Sequence, residues 1–139
     1  MAIAVLVSEP FDHGGWLVAY LVLVGFLAQL LLAHGQAALL SAAGLAAPPR
    51  EAQLAQALLW NLGVVAVPVG VLAEAKLAVV IGSVSLIVAL ASLRRTVQPA
   101  LSGPGTNRGW LSLGYVGLLV VMTASVFVGT ALAWDTPWT

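Results

Sequence analysis

Four long apolar stretches, separated by the few charged residues of the chain, constrain its fold more than any other feature. They cover roughly residues 16–34, 55–73, 77–93 and 111–134. Each is close to the ~20 residues that an α-helix needs to cross a hydrocarbon core of about 30 Å. We therefore predict an all-α integral membrane protein. Residues 1–139 should form a single transmembrane domain, a four-helix bundle with short loops.

The composition agrees with this prediction and excludes several classes of function. Only 7% of the residues are Asp, Glu, Lys or Arg and 61% are apolar, whereas about 25% of an average soluble domain is charged. Five Lys and Arg residues and a net charge of zero give no cationic surface for nucleic acid. Without cysteine, disulfides and thiolate metal sites are excluded. The expected partners are membrane lipids, together with other membrane protein subunits or further copies of the chain.

The first span has an ambiguous end. Apolar sequence continues to about Leu45, which is too long for one untilted crossing of the bilayer. Residues 34–36, His-Gly-Gln, are the expected edge of the membrane. Residues 37–47 then either continue the helix into the headgroups or form a short surface helix. Prolines 48 and 49 must end that segment, and the polar residues 50–56 should form a helical entry to the second span.

Polar and proline residues also predict the remaining boundaries. Pro68 lies inside the second span, where the missing N–H should kink the helix. The short link around Glu74 makes the second and third spans an antiparallel hairpin. Arg94 and Arg95 are expected to end the third helix, where cations meet the negative end of the helix dipole and anionic headgroups without any ligand. Residues 98–109 should then form a flexible turn.

The basic residues predict the orientation in the membrane. Arg50, Arg94, Arg95 and Arg108 fall on the side of the first and third loops, and only Lys76 falls on the other side. This excess of four basic residues to one favours a cytoplasmic position for the Arg-rich loops, so both termini should lie outside. The bias to Ala, Val, Leu and Gly, with Arg preferred over Lys, is typical of a bacterial genome rich in GC. We therefore expect a multi-pass protein of the inner (plasma) membrane.

Two stripes of small residues are candidates for helix packing, because small side chains let helix backbones approach closely. Their members recur at three- or four-residue spacing or its multiples on one helix face. The third span contributes Ala78, Gly82, Ser85 and Ala89, and the fourth contributes Gly117, Ser125, Gly129 and Ala133. We expect the third and fourth spans to pack tightly through these faces, or to present one of them to a partner.

The chain has no recognisable catalytic or metal-binding motif. No Asp or Glu lies inside any span, although proton-coupled transporters usually depend on one. A small four-span drug-efflux protein should carry a membrane-embedded Glu in its first helix, and the nearest here is Glu9, before the span. His13 and His34 lie at opposite ends of one predicted helix, so they cannot clamp a haem within one chain. We expect no enzyme activity, no metal and no cofactor, unless a cofactor is shared with a partner through one of these histidines.

One polar cluster remains as a possible ligand-binding site. Gln29 should lie within the hydrocarbon, where an amide must face a helix or a cavity. Chain reversal brings the end of the first span to the depth of the start of the second. The predicted cluster, which could accept a lipid headgroup, a quinone carbonyl or a small polar solute, comprises Gln29, His34, Gln36, Trp60 and Asn61. The competing interpretation is that the amides only join helices, at about 1 kcal/mol each.

Two functions follow from these observations. The first is a non-catalytic accessory or structural subunit of a membrane complex, or a small homo-oligomer, because the loops are short and two small-residue stripes are present. The alternative is a small transporter or a lipid- or quinone-binding membrane protein that uses the polar cluster on the first and second spans. The second hypothesis predicts that Gln29→Leu and Asn61→Leu abolish binding while the protein still assembles.

Overall fold

The computed structural model describes residues 14–102 and 109–135, and these residues are helical apart from two short loops. Each helix is long and apolar enough to cross a membrane. The helices are α1 (14–42), α2 (Arg50–Leu72), α3 (Lys76–Ser102) and α4 (Gly109–Asp135). The predicted four-helix, all-α class is therefore confirmed, and the chain is a candidate multi-pass membrane protein.

Helix α1 changes its winding along its length. It is α-helical over Gly14–Tyr20, π-helical over Leu21–Ala28 and α-helical again over Gln29–Ala42. Residues 34–36 do not interrupt it. Of the two alternatives for residues 37–47, continuation of the helix is correct as far as Ala42.

Gly44 ends α1. The Leu45 N–H donates to the Leu40 carbonyl at 2.9 Å and the Gly44 N–H donates to Ser41 at 3.0 Å, which are the two bonds of a Schellman motif. Gly44 has φ +67°, a left-handed conformation in which glycine is not strained. Pro48 and Pro49 follow, and α2 starts at Arg50, so the polar entry segment is helical and the loop is short.

A second motif of this kind joins α2 to α3. The Ala75 N–H donates to the Gly70 carbonyl at 2.8 Å, and the Glu74 N–H donates to the Val71 carbonyl at 3.3 Å. Here Glu74 occupies the left-handed position, with φ 54°, where a residue with a Cβ is strained. The reversal makes α2 and α3 the predicted antiparallel hairpin.

The expected end of α3 at Arg94 and Arg95 is wrong, because the helix continues to Ser102. The reason lies in its buried face. Leu93, Val97 and Ala100 are all buried, so the apolar spacing of four and three residues persists beyond the arginines. Residues 98–102 of the expected third loop are therefore helical.

Helix α3 is the centre of the bundle. It packs against all three other helices, most extensively against α2, and it supplies the largest share of the core. Its buried apolar residues include Val79, Leu86, Ala89, Leu90, Leu93, Val97 and Ala100. α1 also contacts α4, where the ring of Tyr115 packs on Gly35. The bundle order around α3, which hydropathy leaves open, is thus α2, α1, α4.

The α2–α3 contact is built on glycine. A Cβ added to Gly82 would lie 2.8 Å from the backbone nitrogen of Val67, and one added to Gly63 would lie 2.8 Å from the Gly82 carbonyl oxygen. A Cβ on Gly70 would lie 2.7 Å from the nitrogen of Val79. Such approaches are possible only because these positions lack a side chain. α2 continues without interruption through the buried Pro68.

The two small-residue stripes have different environments. In α3, Gly82, Ser85 and Ala89 are buried and Ala78 is half-buried, and Gly82 faces α2 rather than α4. The α3–α4 contact includes instead a hydrogen bond from the Thr130 hydroxyl to Ser83 at 2.9 Å. In α4, Gly117 and Ser125 are exposed. The surroundings of Gly129 and the side chain of Ala133 lie outside the described part, as does His13.

The outer surface is apolar. Leu77 and Leu113 are 72% and 76% exposed, and many other Leu, Val and Phe side chains on all four helices are more than 40% exposed. A soluble monomer rarely shows so much contiguous apolar surface. These side chains would face lipid in a bilayer.

Candidate functional site

A cavity of about 470 Å³ lies between α1 and α2, at the end of the bundle closed by the first loop. Its volume is within the usual range of small-molecule sites. Leu93 of α3 contributes to its wall, and Leu45, Ala47 and Pro48 contribute from the loop. We call it the glutamine cavity, because its polar lining comprises Gln29, Gln36, Gln53 and Gln56, with Ser41 and Trp60. None of the described side chains that line it is charged.

Gln56 joins the cavity wall to α3. Its side chain is 8% exposed, and its Nε2 donates to Ser92 Oγ at 3.4 Å and to Thr96 Oγ1 at 3.1 Å. The Thr96 hydroxyl in turn donates to the Ser92 carbonyl at 3.0 Å. This amide nitrogen therefore has partners within the protein, and its role is to hold α2 against α3.

Gln53 fixes the loop at the mouth of the cavity. Its Nε2 donates to the Pro48 carbonyl at 2.8 Å, which satisfies an acceptor just before the N-terminus of α2. Because Pro48 and Pro49 have no N–H and a fixed φ, this bond adds to a loop that is already stiff. The first loop therefore forms a stiff rim at the mouth of the cavity.

Trp60 fixes α1 against α2. It is 4% exposed, and its Nε1–H donates to the Val24 carbonyl at 3.2 Å. Val24 lies in the π-helical segment of α1, and π-helical segments are frequent at functional sites. Near the same level a Cβ on Gly25 would lie 3.1 Å from Val64 Cγ1. Trp60 therefore holds the helices together at the inner end of the cavity.

Gln36 and Gln29 are the two α1 amides that line the cavity. Gln36 is only 7% exposed, and its buried Nε2 has no hydrogen-bond partner among the described residues. Gln29 is half-buried and also lines the cavity. Two helical turns separate them, about 10 Å along α1. A buried amide without a partner costs about 1–3 kcal/mol, so a ligand that accepts from Gln36 would recover that cost.

His34 and Asn61 do not share this site, although the sequence groups them with it. His34 is exposed, and its Nδ1 lies 2.9 Å from the Leu30 carbonyl, one turn earlier. Asn61 is exposed, and its Nδ2 donates to the Ala57 carbonyl at 2.7 Å. Neither side chain lines the glutamine cavity. Of the five residues predicted to bind a ligand, the fold brings together Gln29, Gln36 and Trp60.

Sequence reasoning missed Gln53, Gln56 and Ser41. The sequence predicts Gln53 and Gln56 as part of a polar helix entry, which explains their polarity without a site. Their three-residue spacing places both on one face of α2, and that was the available signal. Ser41 follows residues that were expected to lie beyond the membrane edge. Because α1 continues to Ala42, Ser41 lies on the helix and lines the cavity.

Comparisons with protein-family models, with curated proteins and with solved structures found no match to this chain.

Proposed function

We propose that this chain is a non-catalytic, multi-pass membrane protein that binds a small neutral molecule in the glutamine cavity. The observation that carries the proposal is the buried Gln36 amide, which has no hydrogen-bond partner among the described residues and lines a cavity of about 470 Å³. The described lining offers amides, an indole and one hydroxyl. It has no carboxylate, thiol or imidazole for acid, base or nucleophilic work.

The lining defines the chemistry of the ligand. A charged molecule would lose its hydration without gaining a counter-ion, whereas Gln36 Nε2 needs a neutral acceptor oxygen. Leu32, Leu40 and Leu93 supply apolar wall, so the rest of the ligand should be apolar. A quinone satisfies both requirements, because its carbonyl oxygens accept hydrogen bonds and its ring and tail are apolar.

Binding of a short-chain benzoquinone to the purified protein in neutral detergent tests this proposal. Gln36→Leu should lower the affinity at least tenfold, because it removes the donor while keeping a similar side-chain volume. Gln29→Leu should weaken binding as well. The matched control is Asn61→Leu, which removes an amide at an exposed position outside the cavity and should leave the affinity unchanged.

The proposal fails if Gln36→Leu binds the quinone like the unsubstituted protein, or if Asn61→Leu loses binding to the same extent. Native mass spectrometry of the tagged protein, extracted gently from its own membrane, should show a retained neutral small molecule. That mass should disappear in Gln36→Leu. A retained ion or a solute without a carbonyl or hydroxyl oxygen would contradict the assigned chemistry.

An accessory subunit of a membrane complex, or a homo-oligomer, is the second candidate function. The exposed Gly117 and Ser125 of α4 favour it, because a Cβ added to Gly117 would meet nothing within 4 Å in this chain. The same native mass spectrum tests this function. A stoichiometric second protein or a second copy is the expected result, and a bare monomer would contradict it.

The proposed orientation places the Arg-rich side, that of the first and third loops, in the cytoplasm and the α2–α3 turn outside. Because the chain has no cysteine, single cysteines report topology directly. A membrane-impermeant thiol reagent applied to intact cells should label Ala75→Cys and leave Ala46→Cys unlabelled. The reverse pattern would overturn the orientation.

A further inference from the structure

A second concave surface lies between α3 and α4 and shares no residue with the glutamine cavity. Its volume is about 660 Å³. On α3 it extends from Ile87 to Leu101, about 21 Å along the helix axis. We call it the α3–α4 groove. Arg94 lies midway along this wall, so the part between Ile87 and Arg94 is about 10 Å long, which suits part of an acyl chain.

The groove is apolar between Ile87 and Arg94, and its polar side chains on α3 lie from the middle of that wall toward Leu101. Ile87, Leu90, Leu119 and Phe127 are among its walls, and the Thr123 hydroxyl inside it donates to its own helix at the Leu119 carbonyl, at 2.7 Å. The remaining polar side chains, Arg94 and Gln98, are one turn apart on α3. This polarity corresponds to a lipid, with a tail along the walls and a head at Arg94.

Arg94 is not explained by the fold alone. It lies eight residues before the end of α3 at Ser102, and the helix dipole acts only within the last turn. Among the described residues no ion pair to Arg94 occurs. A helix that enters the hydrocarbon at Leu77 reaches residue 94 after about 26 Å, close to the far headgroup layer of a core of about 30 Å. In a bilayer the guanidinium would therefore lie just below the lipid phosphates, within reach of its long side chain.

We propose that the α3–α4 groove binds an anionic phospholipid, with one acyl chain between α3 and α4 and the phosphate on Arg94, assisted by the Gln98 amide. Guanidinium and phosphate form strong, charge-assisted hydrogen bonds. A transmembrane helix seated in the same groove would cover Arg94 and would need an acid of its own to pair with it. The charge of Arg94 thus favours an anionic lipid over a second helix.

Arg95 provides a matched control for the test. It has the same charge at nearly the same depth, but it does not line the groove. Protein in neutral detergent is titrated with phosphatidylglycerol or with phosphatidylcholine of identical acyl chains, and bound lipid is counted by native mass spectrometry. We expect at least a tenfold preference for phosphatidylglycerol. Arg94→Gln should lower that affinity about tenfold, and Arg95→Gln should change it less than threefold.

A second pair of variants tests the tail site separately from the charge. Ala91→Phe fills the groove while keeping both arginines and should abolish tight binding of phosphatidylglycerol. Val84→Phe places the same side chain at an exposed position of α3 outside the groove and should leave binding intact. Thermal unfolding of each variant without lipid shows whether it has folded.

Three results would overturn the proposal. The first is equal binding of the two lipids. The second is an equal loss of phosphatidylglycerol affinity in the Arg94 and Arg95 variants, which would indicate general surface attraction. The third is retention of phosphatidylglycerol by Ala91→Phe. A second copy of the chain that is lost on Ala91→Phe would assign the groove to self-association instead. None of these results affects the glutamine cavity, since the two surfaces have separate linings.

Discussion

Helix α2 contacts its two neighbours in different ways, and the cavity lies at the less extensive of the two contacts. Toward α3, Gly63 and Gly70 let the backbones approach so closely that a Cβ would overlap backbone atoms. Toward α1, side chains make the contact: the Trp60 indole donates to the Val24 carbonyl, and Val64 packs on Gly25. This contact is much less extensive than the one between α2 and α3. The glutamine cavity lies beside Trp60, between α1 and α2.

Substitution of Gly82 should break the tight contact and have the largest effect. Gly82→Ala places a methyl group 2.8 Å from the Val67 nitrogen, which backbone movement alone can relieve. We expect a loss of about 1–3 kcal/mol in the free energy of unfolding, measured by denaturation in detergent. Gly117→Ala is the control, because its methyl group meets nothing, and it should lose no stability. Equal stability of the two variants would contradict the close α2–α3 contact.

Removal of the Gln56 side-chain amide should have a smaller effect on the same contact. Gln56→Leu leaves the Ser92 and Thr96 hydroxyls without their partner from α2. We expect a loss of about 1–2 kcal/mol, seen as a lower midpoint of thermal unfolding. An unchanged midpoint would show that these bonds do not stabilise the protein.

A substitution in the turn between α2 and α3 should raise the free energy of unfolding instead of lowering it. Glu74→Gly removes the strain of a left-handed residue with a Cβ and should raise the free energy of unfolding by about 1 kcal/mol. Glu74→Ala removes the carboxylate but keeps the Cβ, so it should give no such gain. A similar gain in both variants would assign the effect to charge instead of backbone conformation.

Gln36 should show no loss of stability on substitution, which sharpens the contrast with Gln56. Because Gln36 Nε2 has no partner among the described residues, Gln36→Leu should raise the free energy of unfolding of the ligand-free protein, by up to the cost of about 1–3 kcal/mol of a buried unpaired amide. Unfolding of ligand-free protein in denaturant measures this. A loss as large as that of Gln56→Leu would indicate that Gln36 stabilises the fold.

Much of the fold could be predicted from local sequence, and part of the site could not. The four helices, the breaks at Pro48 and Glu74, and the inward position of Gln29 follow from hydropathy and from the cost of a buried amide. Asn61 and His34 share the same polarity and depth, yet each satisfies a carbonyl of its own helix. Asn can form such a bond to its own helix, and the His34 ring does so here, so polarity alone does not show which side chains face a cavity.

The four apolar helices and their short connections can be predicted from local sequence, because the hydropathy of a helix is a sum over its own residues. Helix packing is what places α3 at the centre, brings Gly82 against α2 and extends α3 past Arg94 and Arg95 to Ser102. It also brings Gln53 and Gln56 together with Gln36 around one cavity. The physical reason is that lipid-facing helices are nearly equivalent in hydropathy, so their neighbours are selected by steric fit between faces.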